Sequence, residues 1–201
     1  MSEQNVATRS RYWWPVLGVV VTLVAAGVIG IRWWQDHSSS PAIIGERLTT
    51  FPAIDRSALD PTQVRILTVL EREFDAQDDG RKYAEGVDEP WCADFVSWVM
   101  REAGVPLANP NSGSWRIPGV YTLQEYYQGA DRFVPIGSLY PLHSGDVLFY
   151  SEKSPFSQHT NIVLAADGAM VTTIGGNEFG EVAIHRFPLV EAPGVLGFGR
   201  L

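Results

Sequence analysis

Cys92 is the single cysteine of a 201-residue chain, and the residues around it suit a nucleophile. It stands in the run Asp88-Glu89-Pro90-Trp91-Cys92-Ala93-Asp94-Phe95-Val96-Ser97-Trp98-Val99-Met100-Arg101. Pro90 fits the first turn of a helix, where its missing N–H is no loss. Cys92 then falls within that turn, where unpaired N–H groups and the positive end of the helix dipole favour a thiolate. Free cysteine is also among the most often buried side chains, so the same run reads equally as the core face of an amphipathic helix. Downstream, His159 opens the apolar run Ser157-Gln158-His159-Thr160-Asn161-Ile162-Val163-Leu164, and Asn177 ends the next one, Thr173-Ile174-Gly175-Gly176-Asn177. An imidazole takes the thiol proton and later returns it to the leaving amine. An asparagine carbonyl that accepts the other ring N–H fixes the tautomer without adding charge. Taken singly, the histidine reads as locally hydrogen-bonded and Gly-Gly-Asn as a turn.

Cysteine, histidine and asparagine in this chain order follow the papain-like cysteine hydrolases. The segments Trp91-Cys92-Ala93-Asp94-Phe95-Val96-Ser97-Trp98-Val99, Ser144-Gly145-Asp146-Val147-Leu148-Phe149-Tyr150, Gln158-His159-Thr160-Asn161-Ile162-Val163 and Gly175-Gly176-Asn177 resemble the CHAP domain, within the wider NlpC/P60-type group of cell-wall cysteine hydrolases. The resemblance covers most of residues 80–201. It implies amide-bond cleavage in peptidoglycan, as amidase or endopeptidase; no cofactor or metal is expected here, although some CHAP domains bind calcium just ahead of the cysteine. On it, Cys92 is the nucleophile, His159 the base and Asn177 the orienting residue. The chain departs from the pattern twice. Many CHAP domains carry a glutamate two positions before the asparagine, where this chain has Gly175 and its acidic neighbour is instead Glu178. A glycine usually precedes the histidine, where this chain has Gln158.

The elements that must position these residues form an α+β domain over residues 60–201. A helix is expected from Asp60-Pro61, a good cap followed by proline, through Val64, Leu67, Leu70 and Phe74 to about Gln77. The Cys92 helix ends near Gly104. The Pro-, Gly- and Asn-rich stretch from Val105 to Leu139 carries Trp115, Tyr121, Tyr126 and Tyr127, with a short helix at Tyr121–Tyr127; its aromatics serve either a groove or the core. Short β-rich runs follow at Asp146–Tyr150, Asn161–Ala166, Ala169–Ile174, Val182–Phe187 and Val195–Arg200, with Asp167-Gly168 as a hairpin turn. Helices followed by an antiparallel meander give helices packed on a sheet, the papain-like arrangement. Asp146 reads as a structural carboxylate.

Ahead of this domain the chain divides into a cytoplasmic tail (1–11), a transmembrane helix (12–34) and a linker (35–59). The stretch from Tyr12 to Ile31 carries no charge and is long enough to cross a hydrocarbon core of about 30 Å. Tyr12, Trp13, Trp14, Trp33 and Trp34 bracket it, and Arg9 and Arg11 precede it, which directs the domain out of the cytoplasm. Gly30-Ile31-Arg32-Trp33-Trp34 is a poor cleavage site, so an anchor is expected rather than a removed signal. In the linker, Ile43, Ile44, Phe51, Pro52 and Ile54 lack periodicity and are expected to dock on the domain.

A net charge of −8 without basic clusters argues against nucleic acid as a partner. Three rival readings compete with a thiol enzyme. Asp75, Gln77, Asp79 and Gly80 partly match a calcium loop, but its twelfth position is Gly86 rather than glutamate. A zinc peptidase would draw on His143, Asp146, His159 and His185, which lack any short paired-histidine motif. The third is an inactive anchored module that binds wall or a partner protein, in which the aromatic stretch matters and Cys92 does not.

Overall fold

A computed structural model describes residues 45–201. The expected tail and membrane span, residues 1–34, lie outside the described residues, as does the first part of the linker. Among the described residues no helix is long and apolar enough to cross a membrane.

The described chain forms four α-helices and seven strands. In order these are β1 (Glu46–Leu48), α1 (Pro61–Ala76), α2 (Gly80–Tyr83), α3 (Cys92–Glu102), α4 (Val120–Gly129), β2 (Phe133–Pro135), β3 (Val147–Tyr150), β4 (His159–Asp167), β5 (Met170–Glu178), β6 (Glu181–Pro188) and β7 (Val195–Gly199). One antiparallel sheet has the order β1-β6-β5-β4-β3-β7-β2. The α+β architecture matches the reading from sequence.

Helix α1 starts where the sequence places it, through a capping box. Asp60 accepts from Thr62 N and Gln63 N, and the Gln63 side chain accepts from Asp60 N. It ends on Gln77, whose left-handed backbone stops the helix and whose side chain bonds both N–H and C=O of Val182 on β6. Helix α3 ends in a Schellman turn: Gly104 lies at φ 77°, and Val105 N donates to Met100 O. One face of the sheet packs on α3 through Phe95, Val96, Val99, Ile162, Leu164 and Ile174, all fully buried. The aromatics of residues 105–139 divide. Tyr127 is core, Tyr121 is exposed, and Trp115 lies 4.0 Å beneath the Arg101 guanidinium.

Two strands were not foreseen. β1 falls inside the stretch expected as linker and pairs with the outer edge of β6, Arg47 opposite His185. Phe51 and Ile54 pack against the core as expected, and Leu48, which the expectation did not include, packs there too. β2 is another three-residue edge strand, ending in Pro135, a residue tolerated only where no inward ladder bond is needed. Three residues are too few to show an alternating pattern. Asp146 is structural, accepting from His143 N, Leu201 N and the Tyr140 hydroxyl.

Candidate active site

Cys92 is the first residue of α3. Pro90 lies before the helix rather than in its first turn, with Trp91 at the N-cap and Cys92 still within the first turn, as the sequence suggested. The cap makes no side-chain hydrogen bond, and the first helical carbonyl bond runs from Phe95 N to Trp91 O at 2.9 Å. Trp91 is held flat on Tyr83, ring centroids 5.1 Å apart.

The glycines of the Gly175-Gly176 pair form no turn. Both lie within β5, where the helix passes over them. A Cβ on Gly176 would stand 2.4 Å from Trp91 Cζ3 and 2.6 Å from Phe95 Cβ, so only glycine lets α3 sit this close. One on Gly175 would meet Glu178 Oε1 at 2.2 Å. The Glu178 carboxylate thus fills the space that a side chain at 175 would take.

His159 opens β4, almost fully buried, and lies close enough to Cys92 for the thiol to raise its basicity. Its Nε2 faces Glu178 Oε1 at 3.1 Å, which leaves Nδ1 for the sulfur. The ring nitrogen on which Asn177 was expected faces Glu178. A β-bulge explains the exchange. Gly175 pairs with Ala183 and Glu178 with Glu181, so β5 carries one residue more than β6 between those pairs. Asn177 adopts φ 59°, a conformation asparagine tolerates, and Glu178 takes the inward position that simple alternation assigns to residue 177. Alternation alone could not reveal this. The visible signal was the acidic side chain next to Asn177.

Glu178 is itself buried and fully engaged. Oε1 also accepts from Asn161 Nδ2 at 3.2 Å, and Oε2 meets His185 Nδ1 at 2.7 Å. Burial pushes its carboxyl up, but the hydrogen bonds from His159 and His185, with the charge of His159, outweigh that and hold it below its ordinary value. Burial likewise pushes His159 down, and contact with Cys92 and Glu178 reverses it to about 9. The arrangement favours a charged imidazole between a sulfur and a carboxylate.

A second carboxylate anchors the start of α3. Asp94 is fully buried, and burial raises its carboxyl to about 6 despite Arg116 Nε at 2.7 Å. Arg116 also pairs with Glu89, which ties the irregular segment after α3 to the residues before Cys92. Cys92 as a residue keeps 5 % exposure, and aromatic rings cover His159. Phe156, from the β3–β4 loop, lies 4.9 Å from the His159 ring and 5.9 Å from that of Phe179, which is 49 % exposed at the β5–β6 turn. Cavities of about 810 and 680 Å³ lie elsewhere and include neither Cys92 nor His159.

The zinc candidates fall into two separate groups, His143 with Asp146 and His159 with His185 across Glu178. In the acidic stretch, Asp79 caps α2 and Asp78 pairs with Lys82 at 2.6 Å. Among the described residues no group of three or more histidine, cysteine, aspartate or glutamate side chains is placed to hold a metal ion. No curated protein and no solved structure matches the chain. Residues 83–177 match the family model of the CHAP domain, so the stretch that carries Cys92, His159 and Asn177 is similar to that family.

Proposed function

We propose that the protein is a thiol hydrolase that cleaves an amide bond in the peptide part of peptidoglycan. The observation that carries this reading is Cys92, at the first position of α3, beside His159, whose Nε2 is held by a buried carboxylate. The similarity to CHAP domains, peptidoglycan amidases and peptidases as a family, supplies the substrate class.

The Cys92 thiolate attacks the scissile carbonyl, and the unpaired N–H groups at the start of α3 donate to the developing oxyanion. His159, charged by the thiol proton, donates it to the leaving amine, and an acyl thioester remains on Cys92. Neutral His159 then draws a proton from water, whose hydroxide attacks the thioester; the acid leaves and the thiol is restored. Glu178 keeps the imidazole in place and balances its charge throughout. The chain is held at the membrane by residues 12–34, with the domain on the wall side. The apolar stretch flanked by Arg9 and Arg11 supports this topology.

The test is digestion of purified wall by wild type and Cys92→Ala, with mass spectrometry of the released ends. Wild type is expected to release fragments with new amine or carboxyl ends, and the variant none. Activity that survives Cys92→Ala but is lost on chelation would replace the thiol mechanism with a metal one. Equal wall binding with no release by either would make the domain a binding module.

A further inference from the structure

His185 plays no part in the chemistry above, yet it is completely buried beside it. It sits on β6 opposite Thr173, and its Nδ1 lies 2.7 Å from Glu178 Oε2. An ionised carboxylate has only acceptors, so Nδ1 must donate. Its Nε2 has no hydrogen-bond partner among the described residues, and the Phe156 ring lies 5.4 Å from the imidazole. A charged His185 would bury an N–H with nothing to accept it, whereas a neutral ring leaves only a lone pair there. The geometry therefore makes His185 a neutral donor that holds one carboxylate oxygen without consuming the negative charge.

We propose that His185 is a positioning residue: acting through Glu178, it fixes the orientation of His159 and so sets the pH range over which the Cys92 thiolate persists. Glu178 has three donors on two oxygens, from β4 and β6, and losing the one at Oε2 frees the carboxylate to rotate away from Nε2. The titratable groups near His185 are Glu178, His159, Cys92 and the Tyr150 hydroxyl, which is linked to Glu178 through Asn161. Arg47, opposite it on β1, is paired with Glu181. The inference rests on Cys92 and His159 being the reactive pair but not on peptidoglycan as substrate.

The experiment measures the rate of Cys92 alkylation by iodoacetamide in the full-length chain, from about pH 5 to about pH 10. His185→Leu is expected to react about tenfold more slowly near pH 6, as for a thiolate range moved up by about one unit, and at the wild-type rate near pH 10. His185→Asn, whose amide can donate from the Nδ1 position, is expected to follow wild type. A purely structural residue would lower the melting temperature of both variants without moving either profile, and that result would overturn the proposal. So would equal shifts in Leu and Asn variants. Should His185→Leu fail to fold, nitrogen NMR of wild type decides. A ring carrying its proton on Nδ1 is expected, and one carrying it on Nε2 would overturn the proposal. Neither readout uses wall, so failed wall digestion beside these alkylation profiles would remove the substrate reading and leave this one standing.

Discussion

Among the described residues two glutamates are almost completely buried, Glu73 on α1 and Glu178 on β5, and their surroundings differ. Glu73 meets Arg72 Nε at 2.8 Å, the Tyr83 hydroxyl at 3.0 Å and the Lys82 ammonium. Those cations keep their charge at any ordinary pH. Contacts with Asp78 and Glu73 raise Lys82 further, against the opposing pull of burial. The Lys82 ammonium also lies 4.8 Å from the centre of the Trp98 ring, joining α2 to the helix that carries Cys92. Glu178 is held by two imidazoles instead, and that of His159 is the one that gains and passes on a proton in the proposed reaction. The same carboxylate therefore serves as a fixed brace in one place and as part of a proton-transfer unit in the other. Its partners decide which.

The sharpest way to break this contrast is Glu178→Gln. Activity on wall is expected to fall by about 1,000-fold or more, because the amide cannot stabilise the imidazolium and can present the wrong group to Nε2. Kinetic assay checks it. The same variant has a signature in stability. His159 is raised to about 9 from an ordinary 6.5, so the stability it contributes is complete below pH 6.5 and is lost as pH rises through about 9. Glu178, held below its ordinary value, works at the other end, and its contribution disappears as pH falls through its lowered value. Thermal unfolding of wild type should weaken between about pH 7 and about pH 9.5, and that of Glu178→Gln less steeply. Parallel curves would show that the imidazole and carboxylate are not coupled.

Glu73→Gln is the complementary change, with the opposite division of effects. The amide keeps a bond to Tyr83 but leaves Lys82 and Arg72, both partly exposed, to turn towards water. A loss of about 1–3 kcal/mol in urea unfolding is expected. The alkylation profile of the folded protein should not move. A moved profile would mean that the brace reaches the reactive pair, and the two carboxylates would no longer be separable.

How much of this was legible in the sequence follows from which physical signals are local. The α1 cap, the Cys92 helix, the Asp167-Gly168 turn and the five longer strands depend on patterns several residues long, and the structure shows them all. Cys92 and His159 were visible because each opens a regular element. Glu178 and His185 were hidden for different reasons. Glu178 points inward only because of a bulge, which alternation cannot anticipate. His185 looked like a loose zinc candidate because its carboxylate partner was itself unplaced. The Gly175-Gly176 pair read as a turn because glycine's two uses, backbone freedom and close approach, look alike in sequence.

The smallest expected effect tests that bulge directly. Asn177 keeps φ at 59°, a value that glycine adopts without cost. If its contribution is to turn the backbone so that Glu178 faces His159, Asn177→Gly should leave wall-digesting activity within about threefold of wild type, a change of under 1 kcal/mol in the barrier. A β-branched residue such as valine is strained at positive φ, and Asn177→Val should cost more in both activity and stability. A loss in Asn177→Gly as large as that in Glu178→Gln would mean that the asparagine side chain reaches the imidazole during the reaction. The carboxylate would then be support for it rather than its replacement.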